Sequence, residues 1–324
     1  MLLAAPLAFS LSLACLLLLL SAPVRGLALD RPNERSLHET PVPRTGGIAI
    51  MAGAAGAFAL AAAEAHIALL LALALAAVSF IDDLFGLPTL LRLALHLAAA
   101  AAALLLMFSQ IEPVLFFPLL LGIGWLTNLY NFMDGSDGLA GGMAVSGFGV
   151  YALAAHTGGD SSLAILCAAL AVAALAFLLF NFHPARIFMG DAGAIPLGFL
   201  AAVLGLAGWR DGLWPLWFPL LVFSPFVVDA SLTLAKRLAR GEKVWLAHRE
   251  HYYQRLVRMG CGHRGTALAE YALMAACAGA AYATRSAAPA AQALLIAAAV
   301  AGYLALAVWI DARWSRHQAR GCVE

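Results

Sequence analysis

The stretch HIALLLALALAAVSFIDDLFG, residues 66–86, decides how this chain must be read. From Ile67 to Phe80 it carries no ionisable side chain; then Asp82 and Asp83 stand side by side. A helix rises about 1.5 Å per residue, so about 20 residues cross a hydrocarbon layer about 30 Å thick. The spacing predicts a membrane span over 66–81 with a pair of carboxylates at its end. Adjacent carboxylates beside lipid are costly unless a cation or hydrogen-bond donors offset them.

The same ruler, moved outward, yields eleven spans. They lie near 2–23, 46–64, 66–81, 90–108, 112–129, 140–156, 161–180, 192–209, 213–233, 266–283 and 288–310. Glu64 and His66 alone mark the turn between the second and third. The first run has no positive charge before it and is long for a signal peptide, so it is read as a retained helix. Composition agrees. The 324 residues are 63% hydrophobic and only 11% charged, where a soluble domain carries about a quarter charged residues. The expected fold is therefore all-α, a polytopic membrane bundle forming one domain over residues 1–324. Abundant alanine and glycine suit close helix packing. Net charge is +1, which leaves no broad basic field for nucleic acid. Five cysteines form no CxxC and read as small apolar side chains.

Lysine and arginine orient the bundle. One set of connections, 24–45, 82–89, 130–139, 181–191, 234–265 and the C-terminal 311–324, carries all of the 19 Lys and Arg except Arg210 and Arg285, counting Arg92 at its edge. The positive-inside rule places that set in the cytoplasm, with the N-terminus outside and the C-terminus inside. Function is expected on the cytoplasmic side, because the opposite loops are too short to build a site.

Three acidic clusters fall on that side. Besides Asp82 and Asp83, the segment TNLYNFMDGSDGLAGG (127–142) repeats Asn128, Asn131, Asp134 and Asp137 at steps of three, a spacing that keeps side chains near one face of a helix. The segment NFHPARIFMGDAG (181–193) supplies Asn181 and Asp191, with Pro184 placed to start a short new segment. Carboxylates with amide oxygens make a hard-oxygen environment, suited to Mg²⁺ or Mn²⁺. Arg44, Arg186, Arg249 and Arg255 share the face, and a cation with arginines fits a phosphate-bearing substrate. A cation-coupled transporter also uses intramembrane acids, but would place more of them at mid-span; only Asp229 and Glu270 stand as exceptions. Asp229 supports the site or pairs locally. In AHREHYYQRLVRMGCGH (247–263), His248, His251 and Arg255 can hold phosphate. Tyr252 and Tyr253 line a nucleobase pocket or anchor the loop, and Lys236, Arg237, Arg240 and Lys243 suit an amphipathic surface helix at anionic lipid.

Taken in order, RSLHETPVPRTGG (35–47), Asp82-Asp83, NLYNFMDGSDGLAGG (128–142), NFHPARIFMGDAG (181–193) and HREHYYQRL (248–256) resemble the polyprenyl-phosphate N-acetylhexosamine-1-phosphate transferases of glycosyltransferase family 4. The last segment looks most like the branch that initiates O-antigen and enterobacterial common antigen. The resemblance implies Mg²⁺-dependent transfer of N-acetylhexosamine 1-phosphate from a UDP-sugar to undecaprenyl phosphate at the bacterial inner membrane, releasing UMP, with a homodimer as the family-based expectation. It implies Asp82, Asp83 and Asp191 as catalytic residues and Asp191, Asp83 and Asp134 around the metal. Asn128, Asn131, Asp134, Asp137, Asn181, Arg186, His248, His251 and Arg255 would serve the nucleotide-sugar, and His38 and Arg44 would border the cleft. A phospho-N-acetylmuramoyl-pentapeptide transferase is the alternative within the superfamily; its triple-histidine loop and early lysine are absent here.

Overall fold

The computed structural model describes residues 3–21, 24, 26, 28–32, 37, 40–58, 66–246 and 248–321. Among them lie thirteen α-helices, one π-turn and a two-stranded ribbon. Two short apolar helices come first: α1 (Ala4–Leu19) and α2 (Gly46–Phe58). Between them, β1 (Leu29–Asp30) pairs antiparallel with β2 (Val42–Pro43). Then follow α3 (His66–Phe85), α4 (Thr89–Met107), α5 (Pro113–Phe132), α6 (Leu139–Gly158), α7 (Ser161–Asn181) and α8 (Asp191–Arg210). The chain continues through α9 (Trp217–Val222), α10 (Ser224–Ala239), α11 (Tyr252–Leu256), a π-turn (Val257–Cys261), α12 (Gly262–Thr284) and α13 (Pro289–Gly321).

Seven helices are long and apolar enough to cross a membrane: α3 to α8 and α13. The chain is thus a polytopic all-α membrane bundle. Four of the expected spans look different. The first two correspond to the shorter α1 and α2, with 59–65 outside the described residues. The ninth, 213–233, is broken into α9 and α10 at Phe223, where Pro225 cannot donate its backbone into a continuous helix. The tenth lies inside α12, which is long enough but carries His263, Arg264 and Glu270.

α8 is apolar on every side, as a helix at the centre of a bundle must be; 94% of its apolar window is buried. α2, α3 and α5 pack around it, and α6 joins α7 beside α1. α4 and α13 are the least buried spans and offer Leu90, Leu93, Leu294 and Leu304 outward, to lipid.

Candidate active site

Helix ends build the site. The anticipated loop 82–89 is shorter than expected: α3 continues through Phe85, so Asp82 and Asp83 occupy its last turn and only Gly86 to Pro88 connect to α4. α5 ends at Phe132, so the one-face reading holds for Asn128 and Asn131 only. Asp134 and Asp137 sit on the turn into α6, where Gly138 has φ +77° and the helix cannot continue. No helix follows Pro184 until α8 starts at Asp191. The other expected inner loop, 234–265, is largely structured: α10 runs to Ala239 and α11 opens at Tyr252. Its basic run is folded on itself, with buried Arg237 bonded to Glu242 (2.8 Å) and to the Leu246 carbonyl (3.1 Å).

These ends enclose a cleft of about 420 Å³, lined by Asp30, Arg44, Asn131, Asp134, Asp137, Asn181, Asp191, His248, Tyr253 and His263. That volume falls in the range of small-molecule sites. Backbone pairing sets its floor. The Phe188 N–H donates to the Pro43 carbonyl (2.7 Å), and the Gly46 and Gly47 N–H groups donate to Phe188 (2.9 Å) and Met189 (2.8 Å). This brings Arg44 against Gly190, whose φ of +71° and ψ of 170° only glycine adopts readily.

Each carboxylate has definite neighbours. Arg44 pairs with Asp83 (Nη1–Oδ1 3.3 Å), and the Ala192 N–H points to Asp83 Oδ2 (3.4 Å). Asp82 takes Arg92 (2.9 Å) and the Leu87 N–H (2.5 Å). Arg92 also reaches to 3.8 Å from Asp191, so one guanidinium links the first and third acidic clusters. Asn131 lies beside Asp191. Burial, then Asp191 and Asp83, push the Asp134 carboxyl well above the usual carboxylate range, against the lowering effect of the Gly190 backbone.

Asp137 and Asn181 act as ties. Asp137 Oδ2 accepts from His183 Nδ1 (2.7 Å) and the Ala185 N–H (3.1 Å). Asn181 accepts from the Gly138 N–H (2.9 Å) and donates to the Ile187 carbonyl (2.9 Å). Asp229 caps α11. It accepts from the Tyr252 and Tyr253 N–H groups (2.9 Å each) and faces His251 Nδ1 at 3.1 Å. It also accepts from Thr233 one turn on in α10 (3.1 Å), so it both pairs locally and holds the start of α11, whose Tyr253 reaches the cleft. Adjacent tyrosines part company: Tyr253 lines the cleft, while Tyr252 turns to Lys236 and α13.

Several residues expected at the site lie off it. Arg255 is buried against α13, paired with Asp311 (2.8 Å) and stacked near Tyr252 and Trp314. Arg186 is exposed over the Phe180 ring. Asn128 faces His96 and donates to the Gly124 carbonyl (2.7 Å) within the bundle. His251 is buried behind His248, with ring centroids 4.8 Å apart. His38 lies outside the described residues. Conversely, Arg92, Asp30, His183 and His263 come to the site without being expected from the sequence. His183 and His263 stack with ring planes 5° apart beside Asp137. They are 80 residues apart in sequence, and no spacing pattern links them.

Among the described residues no group of three or more His, Cys, Asp or Glu side chains is arranged as a metal cage. The carboxylates and amides of the cleft are nonetheless hard-oxygen donors, and Mg²⁺ typically takes one or two carboxylates together with water and substrate phosphates. Burial first, and then the neighbouring Asp191 and Asp83, disfavour the charged Asp134 carboxyl, and a divalent cation bound beside it would offset that. The residues therefore fit such an ion by chemistry.

Fold and site together define a class: a polytopic helical membrane protein with a carboxylate-lined polar cleft where its helix ends meet. Comparison with known proteins narrows it. Residues 65–208 match the family model described as glycosyl transferase family 4. A decaprenyl-phosphate N-acetylglucosaminephosphotransferase of Mycobacterium tuberculosis is 30% identical over 310 residues, covering 78% of this chain and 75% of its own. A probable undecaprenyl-phosphate N-acetylglucosaminyl 1-phosphate transferase of Bacillus subtilis is 28% identical over 263 residues (75% and 74%). An undecaprenyl-phosphate alpha-N-acetylglucosaminyl 1-phosphate transferase of Escherichia coli K12 is 26% identical over 257 residues (72% and 70%). The chain belongs to glycosyl transferase family 4, among the polyprenyl-phosphate sugar-1-phosphate transferases.

Proposed function

We propose that this protein transfers N-acetylhexosamine 1-phosphate from a UDP-sugar to undecaprenyl phosphate, yielding undecaprenyl-diphospho-sugar and UMP, at the cytoplasmic face of the bacterial inner membrane. The observation that carries the reading is the convergence of Asp134, Asp191 and Asn131 on one cleft at the helix ends, with Asp83 buried directly beside its Arg44 and Gly190 lining. An initiating step of O-antigen or a related envelope polysaccharide is the corresponding pathway class. The relatives' names favour N-acetylglucosamine as the sugar. The Lys and Arg asymmetry supports eleven spans with the cleft inside.

In the reaction, an oxygen of the lipid phosphate bonds to the phosphorus that bears the sugar, and the bond from that phosphorus to the UMP oxygen breaks. The attacking phosphate is largely ionised near neutral pH, because its second pKa is about 6; it needs positioning more than a strong base. Asp82 and Asp83, paired with Arg92 and Arg44 beside the cleft, would position the acceptor. Arg44 and His248 line the region available to the diphosphate. Asp83, Asp134 and Asp191 would hold Mg²⁺, with Mn²⁺ as a substitute. When bound, the ion neutralises the diphosphate oxygens and the departing UMP.

The decisive assay incubates purified protein with polyprenyl phosphate, Mg²⁺ and a panel of labelled UDP-sugars: GlcNAc, GalNAc and their amino-deoxy relatives. Lipid-linked sugar and UMP in equal amounts are expected. Coupled ion flux without UMP release would overturn the reading in favour of a transporter. Labelled sugar phosphate trapped on protein without acceptor would replace direct displacement by an aspartyl intermediate.

A further inference from the structure

A second cavity, of about 480 Å³, lies between α10, α12 and α13, outside the carboxylate cleft. Its walls are apolar: Val228 and Leu232 from α10, Leu273 from α12, Leu306 and Ile310 from α13. Two polar side chains of α12 nevertheless line it. Glu270 is only 9% exposed and Thr266 only 1%. Among the described residues, neither Glu270 Oε2 nor Thr266 Oγ1 has a hydrogen-bond partner. A buried acceptor and hydroxyl left unpaired in apolar surroundings are costly, and such groups are retained where something satisfies them. Asp229 also borders the cavity, but Thr233, His251 and the Tyr252 and Tyr253 N–H groups occupy its oxygens. No Lys, Arg or His lines this cavity among the described residues.

We propose that this cavity is a binding site for a membrane amphiphile with an extended hydrocarbon chain and a non-anionic, hydrogen-bond-donating head, a hydroxyl or a primary amine. The head donates to Glu270 Oε2 and pairs with Thr266 Oγ1; the chain lies along the apolar walls. Among the described residues no cationic side chain lines the cavity to hold a phosphate head, and the Asp229 carboxylate at its border opposes a second negative charge. The site is thereby distinct from one that receives a polyprenyl phosphate. The bilayer is the source, since α13 forms one wall and is the span least buried in protein, with Trp309 47% exposed.

The test uses the full chain in phosphatidylcholine nanodiscs with a photoactivatable hexadecanol carrying a diazirine in its chain, and no UDP-sugar, so its outcome is independent of the transferase reaction. Saturable labelling of peptides covering 265–273 and 303–310 is expected. Hexadecanol or hexadecylamine should compete at about a tenth of the concentration needed for hexadecyl phosphate. Ala269→Trp, which fills the cavity, should abolish this labelling. Glu270→Gln, nearly unchanged in volume, should weaken competition by hexadecylamine several-fold and guards against a folding defect in the larger variant. Labelling that never saturates, or spreads evenly over the lipid-facing helices, overturns the proposal. So does equal competition by hexadecyl phosphate, or full labelling of folded Ala269→Trp protein.

Discussion

Gly190→Ala tests whether the backbone crossing beneath the cleft sets the chemistry above it. Gly190 has φ +71° and ψ 170°, a region that costs other residues about 1–3 kcal/mol. A Cβ there would lie 2.2 Å from the Arg44 carbonyl oxygen and 3.1 Å from Asp83 Oδ2. Ordinary contact starts at 3.4 Å, so the Arg44 backbone must move by 1.2 Å (3.4 − 2.2). Overpacking of this kind adds about 1–3 kcal/mol, for a total of about 2–6 kcal/mol. The displaced residue carries the guanidinium that fixes Asp83, and a misplacement of about 1 Å in a catalytic constellation costs about 100-fold in rate. The assay is UMP release by purified protein, with thermal unfolding in detergent alongside. Turnover should fall about 100-fold and the midpoint by several degrees. Gly149→Ala, where a Cβ meets nothing within 4 Å on α6, should leave turnover unchanged. Wild-type turnover and midpoint in Gly190→Ala would refute the argument.

Asp191→Asn should cut turnover at saturating Mg²⁺ by about 100-fold and raise the Mg²⁺ concentration for half activity, with membrane insertion intact; undiminished turnover removes Asp191 from the ion. Arg255→Ala should lower the thermal midpoint, by the loss of about 1.5–3 kcal/mol of charged hydrogen bonding to Asp311, while nucleotide-sugar affinity measured by titration stays near wild type; a large affinity loss would return Arg255 to the diphosphate. Burial, then His251 and Arg237, lower the His248 pKa from 6.5 to about 4. The unfolded chain binds the extra proton first, so His248 destabilises the fold as pH falls from 6.5 to about 4 and contributes no change above that window. His248→Gln should therefore flatten the decline of the midpoint over that range, and an unchanged slope would show that His248 is not the group responsible.

The membrane bundle was legible from residues 66–86 and their like, because lipid imposes a length and an apolar composition that one-dimensional text records. The motif order was legible too, and it carried the family. The pattern at steps of three was only half informative. Asn128 and Asn131 do share a helix, but Gly138 ends that geometry, and periodicity does not report where a chain turns. Sequence determined that carboxylates, amides and arginines gather on the connections with excess positive charge. Tertiary structure decided which of them meet: Arg92 with both Asp82 and Asp191, His183 with His263 over Asp137, and Arg255 with Asp311 away from the cleft. The physical reason is reach. Hydropathy acts through each segment's own residues, whereas an ion pair is set by distance between side chains that the packing of other helices brings together, across separations in sequence that no local period encodes.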